Sequence, residues 1–179
     1  MMADERSGTG GETGAATDAA AALPLLIIAS HGAVGQAALE TCSQILGPIE
    51  PAAAIGLDVH GRLEDVERGI VAVREHHGRE RPTIILVDLF GGSCANVAAK
   101  ILKSRTEQDA PIRVIAGFNI PMIIEFAFSR SKYPLDKLAD RIIEAGKKAC
   151  LDLNAKVLAR PAQVAPKDAP PPGKEPGTA

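Results

Sequence analysis

The chain has 179 residues, 46% of them hydrophobic and 23% charged, and a formal net charge of -2; this describes one soluble globular domain large enough for a sheet covered on both faces. Near-balance of acids and bases leaves no broad basic surface for phosphate backbones, and a chain with no Trp and one Tyr lacks the stacking platforms of single-strand binders, so nucleic acid is excluded as an expected partner. Three widely spaced cysteines (Cys42, Cys94, Cys150) with no CxxC pair suggest neither a disulfide framework nor a zinc site and fit a reducing cytoplasm.

Residues 1–22 are rich in Gly, Ala, Thr and acids, without apolar periodicity, and read as disordered. The run "AAAALPLLIIAS" follows acidic residues (Asp4, Glu5, Glu12, Asp18) where a signal peptide needs positive charge, and it is too short to span a membrane. A cytoplasmic location without membrane insertion is therefore expected. The first predicted strand covers Leu23 to Ala29 and stops at Ser30, His31 and Gly32. Val34, Ala38, Cys42 and Ile45 then recur at helical spacing, with Gly47 and Pro48 as the stop. A second strand, Ala52 to Leu57, leads past His60 into a helix on Leu63, Val66, Ile70 and Val73 that ends near Gly78. There His76 and His77, among Arg74, Glu75 and Arg79, read as a solvated helix end.

The third strand, Thr83 to Val87, stops at Asp88, and Phe90, Gly91, Gly92 and Ser93 follow, with Ser93 suited to cap a helix on Val97, Ile101 and Leu102. After a fourth strand, Ile112 to Ala116, Asn119 and Pro121 stand where an N-cap and a first helical turn belong. The last long helix carries Leu135, Leu138, Ile142, Ala145 and Ala149 on one face. Lys156 to Leu158 reads as a short final strand, and the Pro- and Ala-rich residues 159–179 as a disordered tail, which leaves residues 23–158 as the domain.

Short β-branched runs alternating with helical segments mark an α/β fold: three layers, a mostly parallel sheet of four strands in the order 2-1-3-4, and helices on both faces. Strand-to-helix turns of such a sheet emerge at the carboxyl ends of the strands, where ligands bind. With the first and third strands as neighbours, about 4.8 Å apart, His31 and Asp88 reach one crevice. A neutral imidazole attacks with one ring nitrogen only while the other holds the proton, and Asp88 is placed to fix that tautomer and stabilise the cation formed. Gly32, Gly91, Gly92 and Ser93 offer unobstructed N–H donors to an oxyanion. No metal-ligand cluster is evident beside the pair, so neither a metal nor another cofactor is expected.

In "IIASHG", "ILVDLFGGSCAN" and "VIAGFNIPMIIE", in that order, the chain resembles the enzyme IIA components of the mannose-type bacterial sugar phosphotransferase system. The resemblance implies that His31 is the phosphohistidine, loaded by the phosphocarrier protein HPr and unloaded to a IIB component on a separate chain. It implies that Asp88 pairs with His31, that Phe90 is the bulky aromatic beside the site, and that Gly91, Gly92 and Ser93 form the phosphate-contacting loop. Asn119 to Met122 ("NIPM") matches a loop near the site. A homodimer with an exchanged terminal edge strand is also implied, with Lys156 to Leu158 as the candidate. Cys94 departs from a frequent Pro and leaves a thiol at a helix N-terminus, where its pKa is open to lowering. Two alternatives keep the phosphorylatable histidine: a module whose phosphorylation toggles binding to a regulatory partner, and a phosphodonor to a dihydroxyacetone kinase. A third is metal insertion, since chelatases also place His-Gly after a first strand; His60 is then the nearby second ligand and Asp88 is left without a role.

Overall fold

The computed structural model describes residues 23–158, so both expected disordered ends lie outside the described residues. Ten elements follow in chain order: β1 (Leu25–His31), α1 (Val34–Leu46), β2 (Ala52–Leu57), α2 (Leu63–His77), β3 (Thr83–Val87), α3 (Ser93–Lys103), β4 (Ile112–Ala116), α4 (Ile120–Ser129), α5 (Leu135–Ala149) and α6 (Leu153–Leu158). All four strands are parallel, in the order β2-β1-β3-β4.

The period-2 alternation of the two central strands divides the core. Leu26, Ile28, Ile84 and Leu86 face Ala38 and Cys42 of α1, Ile123 and Phe126 of α4, and Leu138 and Ile142 of α5. Leu25, Ile27, Ile85 and Val87 face Val66 and Ile70 of α2, and Val97 and Ile101 of α3. Both faces are thus covered, and β1 and β3 read as continuous apolar runs because neither face meets water. Each fully buried Leu or Ile contributes about 1.5–3 kcal/mol relative to exposure. The central strands are accordingly fixed in place, and polar chemistry is left to their carboxyl ends.

Strand β1 starts at Leu25 and runs to His31, two residues beyond the expected end at Ala29. The cause is non-local: Ser30 pairs with Gly56 and His31 with Leu57 of β2, so the ladder continues past the last apolar residue. The final segment corrects the expected strand at Lys156 to Leu158, because these residues belong to helix α6. The segment from Cys150 is a unit apart from the body that ends at Ala149. No helix among the described residues is long and apolar enough to cross a membrane.

Arg74 corrects the reading of a wholly solvated helix end, for it is buried, with 5% of its surface exposed. Burial pulls its pKa down and the neighbouring Asp109 holds it up. Asp109 is buried too, bonded by Arg79 Nε at 2.7 Å and Nη2 at 3.1 Å and by the Thr106 amide at 2.8 Å, with Arg74 Nη2 at 3.6 Å. Hydrogen bonds from Arg79, then the Thr106 amide, hold its carboxyl far below the ordinary carboxylate range in spite of burial. A native pKa depressed below the unfolded value of about 3.9 gives stabilisation that is complete above roughly pH 4 and is lost as pH falls toward the native value. Asp109→Asn, which strands a buried guanidinium, is expected to cost roughly 3 kcal/mol at neutral pH. Urea midpoints should show that gap closing between about pH 4 and pH 2; a gap constant with pH would count against the assignment.

Candidate functional site

The carboxyl ends of β1 and β3 meet because these strands are adjacent, with Ala29 opposite Val87. His31 is the last residue of β1, and Asp88 follows β3 directly. The His31 amide donates to Asp88 Oδ2 at 2.8 Å, and His31 Nδ1 lies 3.0 Å from Oδ2 and 3.3 Å from Oδ1. Backbone and ring of one residue are therefore held by one carboxylate. Partial burial pushes the Asp88 carboxyl up, but the hydrogen bonds from the His31 amide and ring, with the ring's charge, outweigh this and hold it below its ordinary value. The His31 side chain is 45% exposed and Asp88 21%, so the pair faces solvent from its imidazole side.

The turn from Asp88 to α3 wraps the ring. Gly91 has φ 75°, a left-handed conformation open to glycine at low cost, and the Gly92 amide closes the turn onto the Leu89 carbonyl at 3.2 Å. A Cβ built on Gly92 would lie 3.3 Å from His31 Cε1, which places this backbone against the imidazole edge. Ser93 is the first helical residue of α3; Gly92 is its N-cap and no side-chain cap bond forms, which corrects the expectation of a Ser93 cap. The cap role is taken because Gly92 has the extended backbone of an N-cap (φ -73°, ψ 173°) and Ser93 has already entered the helix. The Asn96 amide takes the Gly92 carbonyl, so the amides of Ser93, Cys94 and Ala95 have no intrahelical acceptor. Gly32, also in the left-handed region at φ 54°, donates to the Leu57 carbonyl at 2.8 Å.

Phe90 is 88% exposed beside this turn, next to exposed Leu89, and Val34 at the start of α1 is exposed as well. Asn119 is the N-cap of α4: its Oδ1 accepts from the Met122 amide at 3.3 Å, its Nδ2 donates to the Gly146 carbonyl at 3.2 Å, and Pro121 lies in the first turn. The polar atoms of Asn119 thus tie α4 to α5. His60 is an exposed turn residue after β2.

Gly56 escaped the sequence reading, and Ser30 and Cys94, which it named, have roles that it did not show. Buried Ser30 accepts the Gly35 amide at 2.8 Å and so anchors the start of α1 beside His31. Gly56 leaves room for the Gly32 carbonyl: a Cβ there would stand 2.5 Å from that oxygen. Gly56→Ala is expected to displace Gly32 and the His31 joined to it, lowering stability by about 1–3 kcal/mol and shifting the His31 ring signals in NMR. Unchanged ring signals and urea midpoint would refute the contact. Cys94, noted as a thiol open to a lowered pKa, is instead fully buried, and burial followed by the Asp88 charge raises it. It also joins His31 and Asp88 in a group of metal-ligating residue types not evident in the sequence: one donor atom of each lies within 4.8 Å of the others. The signal was present as a Cys six residues after Asp88, but only the turn geometry folds it back.

The family described as "PTS system fructose IIA component" matches residues 25–143. The chain is 31% identical over 157 residues to the PTS system mannose-specific EIIAB component of Escherichia coli (strain K12), an alignment covering 85% of this chain and 47% of that protein. It thus spans about half the length of that curated relative. Among solved structures it is similar to the mannose/sorbose specific IIA subunit of the phosphotransferase system from Enterococcus faecalis, with a TM-score of 0.65, 30% identity, and coverage of 73% of this chain and 95% of that one. A Streptococcus agalactiae phosphotransferase system component EIIA has a TM-score of 0.67 at 26% identity, covering 73% and 98% of the two chains. With His31 and Asp88 joined at the carboxyl ends of adjacent strands, and with the family match spanning every element from β1 into α5, the chain belongs to the mannose-type IIA family of the sugar phosphotransferase system.

Proposed function

We propose that His31 Nε2 accepts a phosphoryl group from HPr and passes it to a IIB component. The carrying observation is the 3.0 Å contact between His31 Nδ1 and Asp88. An ionised carboxylate only accepts hydrogen bonds, so Nδ1 holds the proton and the Nε2 lone pair is left free. That lone pair attacks phosphorus as the donor's N–P bond breaks, and the electron pair of the broken bond stays on the donor imidazole. The Nδ1 proton does not leave, and Asp88 stabilises the cationic ring that results. The unpaired amides at the start of α3 suit the three dispersed phosphoryl oxygens. Exposed Phe90, Leu89 and Val34 form an apolar rim of the kind that a protein donor or acceptor covers.

Incubation with phosphoenolpyruvate, enzyme I and HPr, followed by intact-mass measurement, tests the reading. One acid-labile phosphoryl group is expected, removed on adding a IIB component. Wild-type chain that gains none would overturn it.

A further inference from the structure

His31, Asp88 and Cys94 present an imidazole nitrogen, a carboxylate oxygen and a sulfur from three segments, and their donor atoms lie within 4.8 Å of one another. His31 Nδ1 stands 3.0 and 3.3 Å from the two Asp88 oxygens. Two ligands each about 2.0–2.1 Å from one zinc ion at a tetrahedral angle are about 3.3 Å apart, so a small reorientation that opens the hydrogen bond lets the ion take the place of the Nδ1 proton between them. Cys94 is fully buried, while the His31 side chain is 45% exposed, which gives an ion a path in from solvent.

We propose that these three residues bind a thiophilic divalent cation of the zinc class, and that its binding inhibits the phosphoryl acceptance proposed above. The thiolate selects zinc over magnesium and calcium, which prefer all-oxygen sites. On binding, the Cys94 S–H bond breaks and its proton goes to solvent. The ion replaces the proton on His31 Nδ1, and that proton reappears on Nε2, so one proton is released for each ion bound. Nε2 then has no lone pair to offer phosphorus. The same carboxylate that directs the ring toward phosphoryl transfer becomes, with the metal, the means of arresting it.

The test titrates Zn2+ into the full chain against a chelating indicator, with the exposed Cys150 and the His76 and His77 pair removed in a control variant (Cys150→Ser, His76→Gln, His77→Gln). One equivalent is expected to bind in wild type and control, and affinity to fall at least about tenfold in Cys94→Ser and in His31→Gln. Cobalt in the control variant, which keeps the whole cluster, should show a sulfur-to-metal charge-transfer band and thus reports on the site even where Cys94→Ser misfolds. Affinity that disappears in the control variant, or cobalt without a thiolate band, would overturn the site. Transfer from isolated phosphorylated HPr should slow at least about tenfold with stoichiometric Zn2+ in wild type, and the ratio with and without zinc should approach one in Cys94→Ser. A ratio near one in wild type would overturn the inhibition. Wild type that accepts no phosphoryl group in zinc-free buffer removes the phosphocarrier reading instead, and the binding measurements then decide the metal site alone.

Discussion

His31→Ala protein incubated with phosphoenolpyruvate, enzyme I and HPr is expected to gain no acid-labile phosphoryl group under conditions that label the wild type fully. The effect is large because, in the proposed transfer, the variant removes the bond-forming atom, and neither Asp88, which has no ring nitrogen, nor the buried Cys94 thiol replaces it. A collapse of the fold is not expected to account for the loss. The ring is 45% exposed, and its hydrogen bonds from Nδ1 go to Asp88. Alanine keeps the amide that donates to the same carboxylate at 2.8 Å. An exposed pair of this kind contributes about 0–1 kcal/mol, so the urea midpoint should stay close to that of wild type. Equal labelling of His31→Ala would place the phosphoryl group elsewhere, with His60, His76 and His77 the remaining imidazoles of the chain.

What the sequence disclosed and what it withheld divide along local and non-local lines. The ranges of β2, β3 and β4 and the cap at Asn119 follow from neighbouring residues: β-branched runs, an N-cap side chain, a Pro in the first turn. His31 and Asp88 were legible because each directly ends or follows an apolar run, and the strand order that joins them is the one observed. The extension of β1 to His31 was not legible, since it depends on pairing with Gly56 and Leu57, which are distant in sequence. Gly56 itself looked like an ordinary strand residue until the Gly32 carbonyl was set against it. Arg74 read as solvated because its partner Asp109 lies beyond β3 and α3. The helix position of Cys94 suggests a lowered thiol pKa, whereas burial and the Asp88 charge, neither of them visible in the local sequence, act more strongly in the opposite direction. Leu153 and Val157 are four apart, and that helical spacing was the available signal against a strand at Lys156 to Leu158.

Asp88→Asn is expected to slow phosphoryl acceptance by a factor on the order of 10²–10⁴, more than Asp88→Ala does. The reason lies in which groups can donate. In the wild type both contacts to His31 are made to an acceptor: the amide N–H at 2.8 Å and Nδ1 at 3.0 Å. Asparagine has one acceptor and one donor end. The His31 amide is always a donor and holds the carbonyl oxygen at the Oδ2 position, which puts the NH2 at the Oδ1 position, 3.3 Å from Nδ1, where a donor opposes the Nδ1 proton. In rings where Nδ1 accepts from this NH2 rather than donating to the oxygen 3.0 Å away, the proton sits on Nε2 and the nucleophilic lone pair is lost. Alanine imposes no tautomer, so a fraction of its rings keeps Nε2 free and only the stabilisation of the cationic ring is forfeited. The measurement is a single-turnover transfer rate from phosphorylated HPr for the three proteins, with the ring tautomer read by nitrogen NMR. Asparagine as fast as wild type would show that Asp88 does not set the tautomer. Asparagine and alanine equally slow would show that its charge alone matters, since loss of the negative charge is common to both and only the direction of the hydrogen bond separates them.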